Sequence, residues 1–166
     1  MAILEPDDRE VVRKYFEQKL TAPVRMVVFT ETADETDVTA FRTGESSRQT
    51  QELVEELASL SDAIRLEIRD IGSLSDDEKA RIASEWGILG TPTIAVGPAG
   101  DSGAPGSDGA PPGIRFAGYP GGYEFTSFLE TLGSIAAENW GLTEETVALL
   151  DKVDRPIDIK TFVTPT

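Results

Sequence analysis

The chain has 166 residues, of which 39% are hydrophobic and 27% charged, and its net charge is −15. This composition predicts one globular domain, and the acidic field disfavours nucleic acid and an anionic membrane surface as partners. Because the chain has no cysteine and no histidine, we expect it to have no thiol redox activity alone, no bound metal and no cofactor.

The sequence also bears on where the protein works. Its first residues have neither the basic flank nor the apolar core of a signal peptide, and no apolar run is long enough to span a bilayer. We therefore expect a cytoplasmic protein without a membrane span. The acidic, lysine-poor composition fits adaptation to high salt and equally fits an ordinary acidic cytosolic protein.

The first half of the chain alternates between helical and extended patterns. Apolar residues at helical spacing predict a helix over residues 6–20, which has Pro6 at its start. Residues 24–29 are nearly all apolar and predict a strand in the middle of a sheet. The polar residues 31–44 indicate an irregular segment, and a second helix is predicted over about residues 46–60.

The middle of the chain continues with shorter elements. Alternating apolar and charged residues at 64–69 predict a strand with one wet face. A capping-box spacing opens a short helix over residues 75–86, and a short strand follows at 93–96. Residues 97–113 are all small, Pro or Asp, so they cannot bury apolar area and predict a flexible connection.

The sequence pattern in the last third of the chain predicts two strands and two helices. Residues 114–117 form the first strand, and the glycine-rich turn 118–122 leads into an amphipathic helix. Thr143 can cap one more helix. Alternation over residues 157–163 predicts a last strand. We expect the following apolar residues of the last helix to face inward: Val147, Leu150 and Val153.

The element order determines the fold class. A strand–helix–strand unit followed by an antiparallel pair and a helix predicts a mixed α/β sandwich. The sequence shows no internal repeat. Trp86 and Trp140 follow helical apolar patterns, so we expect both to be core residues or plugs at helix ends.

One segment resembles a known fold family. The stretch Trp86–Thr93, WGILGTPT, is similar to the thioredoxin-superfamily segment that precedes the third strand. The resemblance implies a thioredoxin-like fold, with a mixed central sheet flanked by helices and an extra N-terminal helix. It also implies a cis peptide bond at Pro92 and a substrate groove made by Thr91, Pro92 and Thr93, in which Thr91 faces the substrate.

A longer stretch narrows the resemblance. Residues 114–129, IRFAGYPGGYEFTSFL, resemble two families built of two fused thioredoxin units. These are the glutaredoxin-like protein disulfide oxidoreductases and the N-terminal redox domain of the alkyl hydroperoxide reductase flavoprotein. Tyr123 stands where both families usually have a histidine. We expect apolar contact with a partner unit at this turn, through Tyr119, Pro120, Tyr123 and Phe125.

The end of the sequence also carries a resemblance. Residues 159–166, IKTFVTPT, are similar to the strand that opens the second unit of the disulfide oxidoreductases, directly before their Cys-x-x-Cys motif. The resemblance implies a cysteine-free thioredoxin-like unit over residues 1–154 and the first strand of a second unit over 155–166.

The position of the missing dithiol follows from the same resemblance. In a thioredoxin fold the dithiol lies at the N-terminus of the helix that follows the central strand, where the helix dipole lowers the thiol pKa. The register places there Gly44, Glu45, Ser46 and Ser47. We expect one of these serines to cap the helix, because a serine nucleophile needs a base that the chain lacks.

Two functional hypotheses follow. In the first, the chain scaffolds or orients a cysteine-bearing second thioredoxin-like unit of a protein disulfide oxidoreductase or, alternatively, of the hydroperoxide reductase flavoprotein. In the second, it is a stand-alone module that binds an extended peptide or a disulfide-containing protein at the proline loop. An exposed apolar patch would also favour association of the chain with itself.

Overall fold

The structure, a computed structural model, describes residues 3–31, 38–99 and 113–161, and for residues 38–43 only the backbone. It contains four strands and five helices within these ranges. In chain order they are α1 (Pro6–Lys19), β1 (Val24–Thr30), α2 (Val38–Ser59), β2 (Ile64–Asp70), α3 (Asp76–Trp86), β3 (Thr93–Pro98), β4 (Ile114–Ala117), α4 (Tyr123–Ala137) and α5 (Glu144–Leu150).

The four strands form one mixed sheet in the order β2-β1-β3-β4. The strand β1 is parallel to β2 and antiparallel to β3, and β3 is antiparallel to β4. Every residue of β1 is buried, as expected for a strand that has neighbours on both sides and helices on both faces. The predicted mixed α/β architecture and the central position of β1 are confirmed.

Each face of the sheet has its own hydrophobic core. One face packs against α1, α2 and α4, whose largest buried members there are Phe16, Leu57 and Phe128. The other face packs against α3, where Trp86 contacts Phe29 with the ring centroids 5.1 Å apart. Trp86 is therefore a core residue, as its helical spacing predicts.

The ends of α3 explain why this short helix is well defined. The Ser75 hydroxyl accepts a hydrogen bond from the Glu78 amide, and the Glu78 carboxylate accepts one from the Ser75 amide, so the predicted capping box is confirmed. At the other end, Gly87 has φ 60° and ψ 35°. A left-handed residue at this position is favourable for glycine because it has no Cβ.

Helix α2 differs from the sequence prediction. It begins at Val38, whereas the polar composition of residues 31–44 predicts an irregular segment there. The segment contains no proline, and one glycine costs a helix only about 1 kcal/mol. For residues 38–44 local polarity was therefore a poor guide, because they belong to a helix that packs further along the chain; residues 32–37 lie outside the described part of the chain.

The part of the chain after α4 also differs. Val147, Leu150 and Val153 are 45–53% exposed, so the prediction that they face inward is wrong. Trp140 is 54% exposed and is not a core residue, while its alternative role as a plug at a helix end stays a prediction. Residues 155–161 are exposed and form no strand. A strand needs a hydrogen-bonded neighbour, and none of the four described strands pairs with these residues.

Some predictions lie outside the described residues. These are most of the connection 97–113 and the last five residues, which include Thr164, Pro165 and Thr166. Within the described ranges, no helix is both long and apolar enough to cross a bilayer.

Candidate functional site

The proline loop between α3 and β3 is held on both sides by the fold. The peptide bond between Thr91 and Pro92 is cis. The Thr93 hydroxyl donates a hydrogen bond to the Gly90 carbonyl oxygen at 2.6 Å, and the Gly118 amide donates one to the Pro92 carbonyl oxygen at 2.8 Å. The loop is thus tied both to itself and to the turn after β4, which fixes the position of Thr91.

A carboxylate at the end of the central strand lies beside this loop. The Glu31 carboxylate accepts a hydrogen bond from Lys79 Nζ at 2.6 Å and one from the Thr91 hydroxyl at 3.3 Å. The hydrogen bond to Glu31, followed by the charge of that carboxylate, raises the pKa of Lys79. Lys79 is therefore positively charged at neutral pH, and its charge compensates that of Glu31 at the edge of the loop.

Ser47 belongs to the segment Gly44–Ser47, where related folds have the dithiol, and it contacts Glu31. Its hydroxyl oxygen accepts a hydrogen bond from the Glu31 amide at 3.3 Å, and the residue is only 3% exposed. The register Gly44–Ser47 lies inside α2, which starts at Val38. Neither serine caps the helix, because a residue inside a helix has an amide that already belongs to the helical hydrogen-bond pattern.

A groove of about 240 Å³ opens next to the loop. Its polar lining comes from Glu31, Lys79 and Thr91. Its apolar lining includes Ile88 and Leu89, and Leu89 is fully exposed at 101%. The groove therefore combines one fully exposed apolar side chain with three polar ones beside the proline loop.

The chemistry available in this groove is limited to hydrogen bonding and charge. The chain supplies no thiol and no imidazole, so thiol–disulfide exchange cannot start from its own side chains. Among the described residues there is no group of three acids that could hold a metal ion. The polar groups that the groove offers are a hydroxyl, an ammonium group and a carboxylate, from Thr91, Lys79 and Glu31.

The residues of the predicted interface turn are only partly available. Pro120 is buried. Tyr119 and Phe125 are partly buried against the main core. Only Tyr123, at 89%, is fully open to solvent. The structure therefore places one residue of this turn, and not all four, where a partner would touch it.

Two residues of the site were not anticipated from the sequence. Glu31 directly follows a fully buried strand, and a polar residue at the end of such a strand is a general sign of a functional edge. Lys79 is a basic residue within the acidic start of α3. Lys79 directly follows three acids, and a cation in the first turns of a helix runs against the helix dipole; this is the signal that could have identified it.

Comparison with known proteins supports the fold. No family model matches the sequence, and no curated protein matches it. Among solved structures, the alkylhydroperoxide reductase AhpF of Enterococcus faecalis is 25% identical, with a TM-score of 0.61 over 86% of this chain. The NTD_N/C domain of the same protein is 26% identical, with a TM-score of 0.60 over 86% of this chain.

A third solved structure is similar in fold. It is a protein disulfide oxidoreductase from Aeropyrum pernix, with 20% identity and a TM-score of 0.61 over 92% of this chain. In all three comparisons the chain covers 57% of the length of the solved chain. These likenesses, the mixed sheet and the helices on both of its faces agree with the resemblance in the sequence: the chain is a thioredoxin-fold unit.

Proposed function

We propose that this chain is a redox-inactive thioredoxin-fold unit that docks and orients a cysteine-bearing thioredoxin-fold unit in a protein disulfide oxidoreductase. The absence of cysteine from all 166 residues supports the first part of the proposal. The similar solved chains support the second part, because each of them extends well beyond the 57% that this chain matches.

The observation that carries the proposal is an uncovered apolar face on α5. We define the α5 face as Val147, Leu149, Leu150 and Val153, which are 45–57% exposed. At 100° per residue Val147, Leu149 and Leu150 fall on one side of the helix, while Glu144 and Ala148 fall on the other. Val153 lies three residues beyond the helix, where its amide donates a hydrogen bond to the Leu150 carbonyl oxygen at 2.9 Å. An amphipathic helix of this kind is stable when its apolar side is covered, and no residue of α5 is buried.

The size of the α5 face is appropriate for a contact between protein units. Its four residues are each 45–57% exposed, and an apolar patch of a few hundred Å² on a monomer is often functional. Ile157 and Ile159 extend the apolar run along the chain and are 63% and 82% exposed. A contact made by these residues would draw its energy mainly from apolar burial.

The charge of the chain argues for a different protein surface as the partner. Two copies of a chain with a net charge of −15 repel each other. We infer that the covering surface belongs to a unit that is less acidic, with its own apolar face at the centre of the contact. In this arrangement the groove at Thr91 lies on the scaffold, and the thiols lie on the partner.

A pair of variants tests the docking surface. Val147→Asp with Leu150→Asp places two charges on the α5 face, and Ala148→Asp places one on its polar side as a control. We expect the unaltered chain to bind a hydrophobic dye and to self-associate at high salt, because salt screens the repulsion between copies. The double variant should do neither, and the control should resemble the unaltered chain.

The partner is tested by reading the gene beyond the codon for Thr166. We expect a Cys-x-x-Cys motif and a second thioredoxin-fold unit in the same reading frame. A flavin-binding domain further along would assign the parent to hydroperoxide reduction. In the longer protein, the double variant should loosen the contact between the units and slow insulin reduction. A stop codon together with a monomeric chain that binds no dye would contradict the proposal.

A second candidate function is supported by the groove beside the proline loop. Exposed Leu89 and the ordered Thr91 could hold an extended peptide in a stand-alone binding module. Specific peptide binding that is lost in Pro92→Ala and kept in Pro98→Ala would favour this function. Thiol-dependent disulfide reduction by the isolated chain would contradict both candidates, because both require the chain to be redox-inactive.

A further inference from the structure

A second cavity lies at the opposite end of β3 from the proline loop. It has a volume of about 410 Å³ and lies between the strands β3 and β4 and the C-terminal end of α4. Its apolar lining includes Val96, Ile114 and Ile135, and Glu138 and Trp140 complete it. Cavities of roughly 300–1,000 Å³ with a mainly apolar lining and a few polar groups are typical small-molecule sites.

Glu138 occupies an unfavourable position at this cavity. It follows the last residue of α4 in the left-handed conformation, with φ 50° and ψ 32°, which costs energy for a residue with a Cβ. Its negative charge also lies at the negative end of the helix dipole, and the last turn of α4 contains no basic residue. Helix α3 ends in the same left-handed conformation, but with a glycine, Gly87. If backbone conformation alone decided the residue, a glycine would be expected at position 138 as well.

The carboxylate of Glu138 has no partner within the described part of the chain. None of the hydrogen bonds or ion pairs found there involves its side chain, although its amide donates to the Ile135 carbonyl oxygen. Residues 100–112, which connect the two strands of the cavity, contain no Lys and no Arg in the sequence. The neighbouring connection therefore cannot provide a cation for this carboxylate.

Trp140 adds a second group that favours positive charge. It is 54% exposed at the rim of the same cavity. In the described residues, arginine guanidinium groups stack on Trp86 and Phe29 but not on Trp140. The face of an indole ring attracts organic cations, and no described arginine or lysine stacks on Trp140.

We propose that this cavity binds a small organic cation with an apolar body. The apolar floor of Val96, Ile114 and Ile135 takes the body, while the Glu138 carboxylate and the Trp140 ring take the positively charged head. The partial negative charge at the end of α4 acts in the same direction. This site is independent of the α5 face, so it can be tested whatever the outcome for docking.

The test compares two probes of the same shape that differ in charge. Phenethylammonium is the cation, and phenethyl alcohol is its neutral counterpart. Binding is followed by the shift of the Trp140 indole N–H signal, which is assigned with Trp140→Phe. We expect phenethylammonium to bind about fivefold more tightly than the alcohol, because the alcohol gains the apolar contacts alone.

The variants separate charge from shape. Glu138→Gln keeps the size of the side chain, and we expect it to weaken phenethylammonium binding about fivefold and to leave the alcohol unchanged. Glu130→Gln removes the same charge from the exposed side of α4 and is the matched control, with little expected effect on either probe. Equal affinity of the two probes for the unaltered chain would overturn the proposal, as would an unchanged preference in Glu138→Gln.

A third variant addresses the backbone cost. Glu138→Gly supplies the residue that the left-handed conformation favours, so we expect its melting temperature to rise while its preference for the cation disappears. A melting temperature at or above that of the unaltered chain rules out unfolding as the cause of a lost preference. If Glu138→Gly still prefers phenethylammonium, the carboxylate does not hold the cation and the proposal is wrong.

Discussion

Helices α4 and α5 have the same kind of sequence pattern but different surroundings. Both repeat apolar residues at helical spacing and both begin with a defined cap or turn. Helix α4 buries Phe128, Leu132 and Ile135 against the sheet and α1. Helix α5 buries no residue at all.

The difference teaches what an amphipathic pattern can and cannot predict. The pattern identifies the side of a helix that is to be covered. It does not identify the surface that covers it, because that surface is chosen by packing between elements distant in sequence. Within the described residues the apolar side of α5 has no cover, and our proposal is that a partner unit covers it.

The largest expected effect is a difference in the free energy of unfolding when one apolar side chain is removed from α4 or from α5. Phe128 is fully buried and packs edge-to-face on Phe116, with the ring centroids 5.0 Å apart. Phe128→Ala should lower the free energy of unfolding of the isolated chain by about 3–5 kcal/mol, because it leaves a cavity in the core. Leu150→Ala should change it by less than about 0.5 kcal/mol, because Leu150 is 53% exposed.

Urea denaturation followed by circular dichroism measures both changes. Phe116→Leu is a useful control for the aromatic contact, since it keeps the site apolar and removes only the ring pair. A large loss of stability in Leu150→Ala would contradict the comparison, because it would mean that the isolated chain already covers the α5 face.

The sequence was sufficient for most of the fold and for part of the site. The nearly all-apolar run of β1 predicted a strand in the middle of the sheet, and the alternation of β2 predicted a strand, because these patterns depend on local burial alone. The start of α2 was missed, because helix propensity is a weak guide where distant packing decides. Glu31 and Lys79 were missed as a pair because their contact joins residues 48 positions apart.

A smaller effect is expected from the two helix caps. The Ser75 hydroxyl caps α3, and the Thr143 hydroxyl caps α5 by accepting from the Thr146 amide at 3.2 Å. Ser75→Ala should cost about 1 kcal/mol of global stability, because α3 is packed on the sheet through Trp86. Thr143→Ala should leave global stability nearly unchanged and raise only the amide exchange rates of α5, because α5 can open without exposing the core.

Hydrogen exchange and urea denaturation of the two variants distinguish local from global loss. Ser75→Thr and Thr143→Ser retain a capping hydroxyl and should restore most of each effect. If Thr143→Ala destabilised the whole chain as much as Ser75→Ala, α5 would be part of the cooperative unit and the contrast between the two helices would fail.

The smallest effect concerns the contact of α4 with α1, where Tyr15 is the reporter. Burial, followed by the negative charge of Glu130 on α4, raises the pKa of Tyr15 above its ordinary value. The folded chain therefore keeps this proton at a pH where the unfolded chain loses it. The contribution of Tyr15 to stability is fully present below pH ~10, the unfolded pKa, and is lost as the pH rises through the folded pKa.

Glu130→Gln should lower the pKa of Tyr15 but leave it raised, because burial is the larger cause and is unchanged. The stability lost at alkaline pH should shrink accordingly, since a smaller difference between folded and unfolded pKa values means a smaller pH dependence. Glu145→Gln removes the same charge from α5 and is the matched control. The ring-carbon shifts of labelled tyrosine give the pKa directly. An equal decrease in both variants would mean that Tyr15 responds only to total charge, whereas a decrease in Glu130→Gln alone shows that α4 contacts α1 at this position and α5 does not.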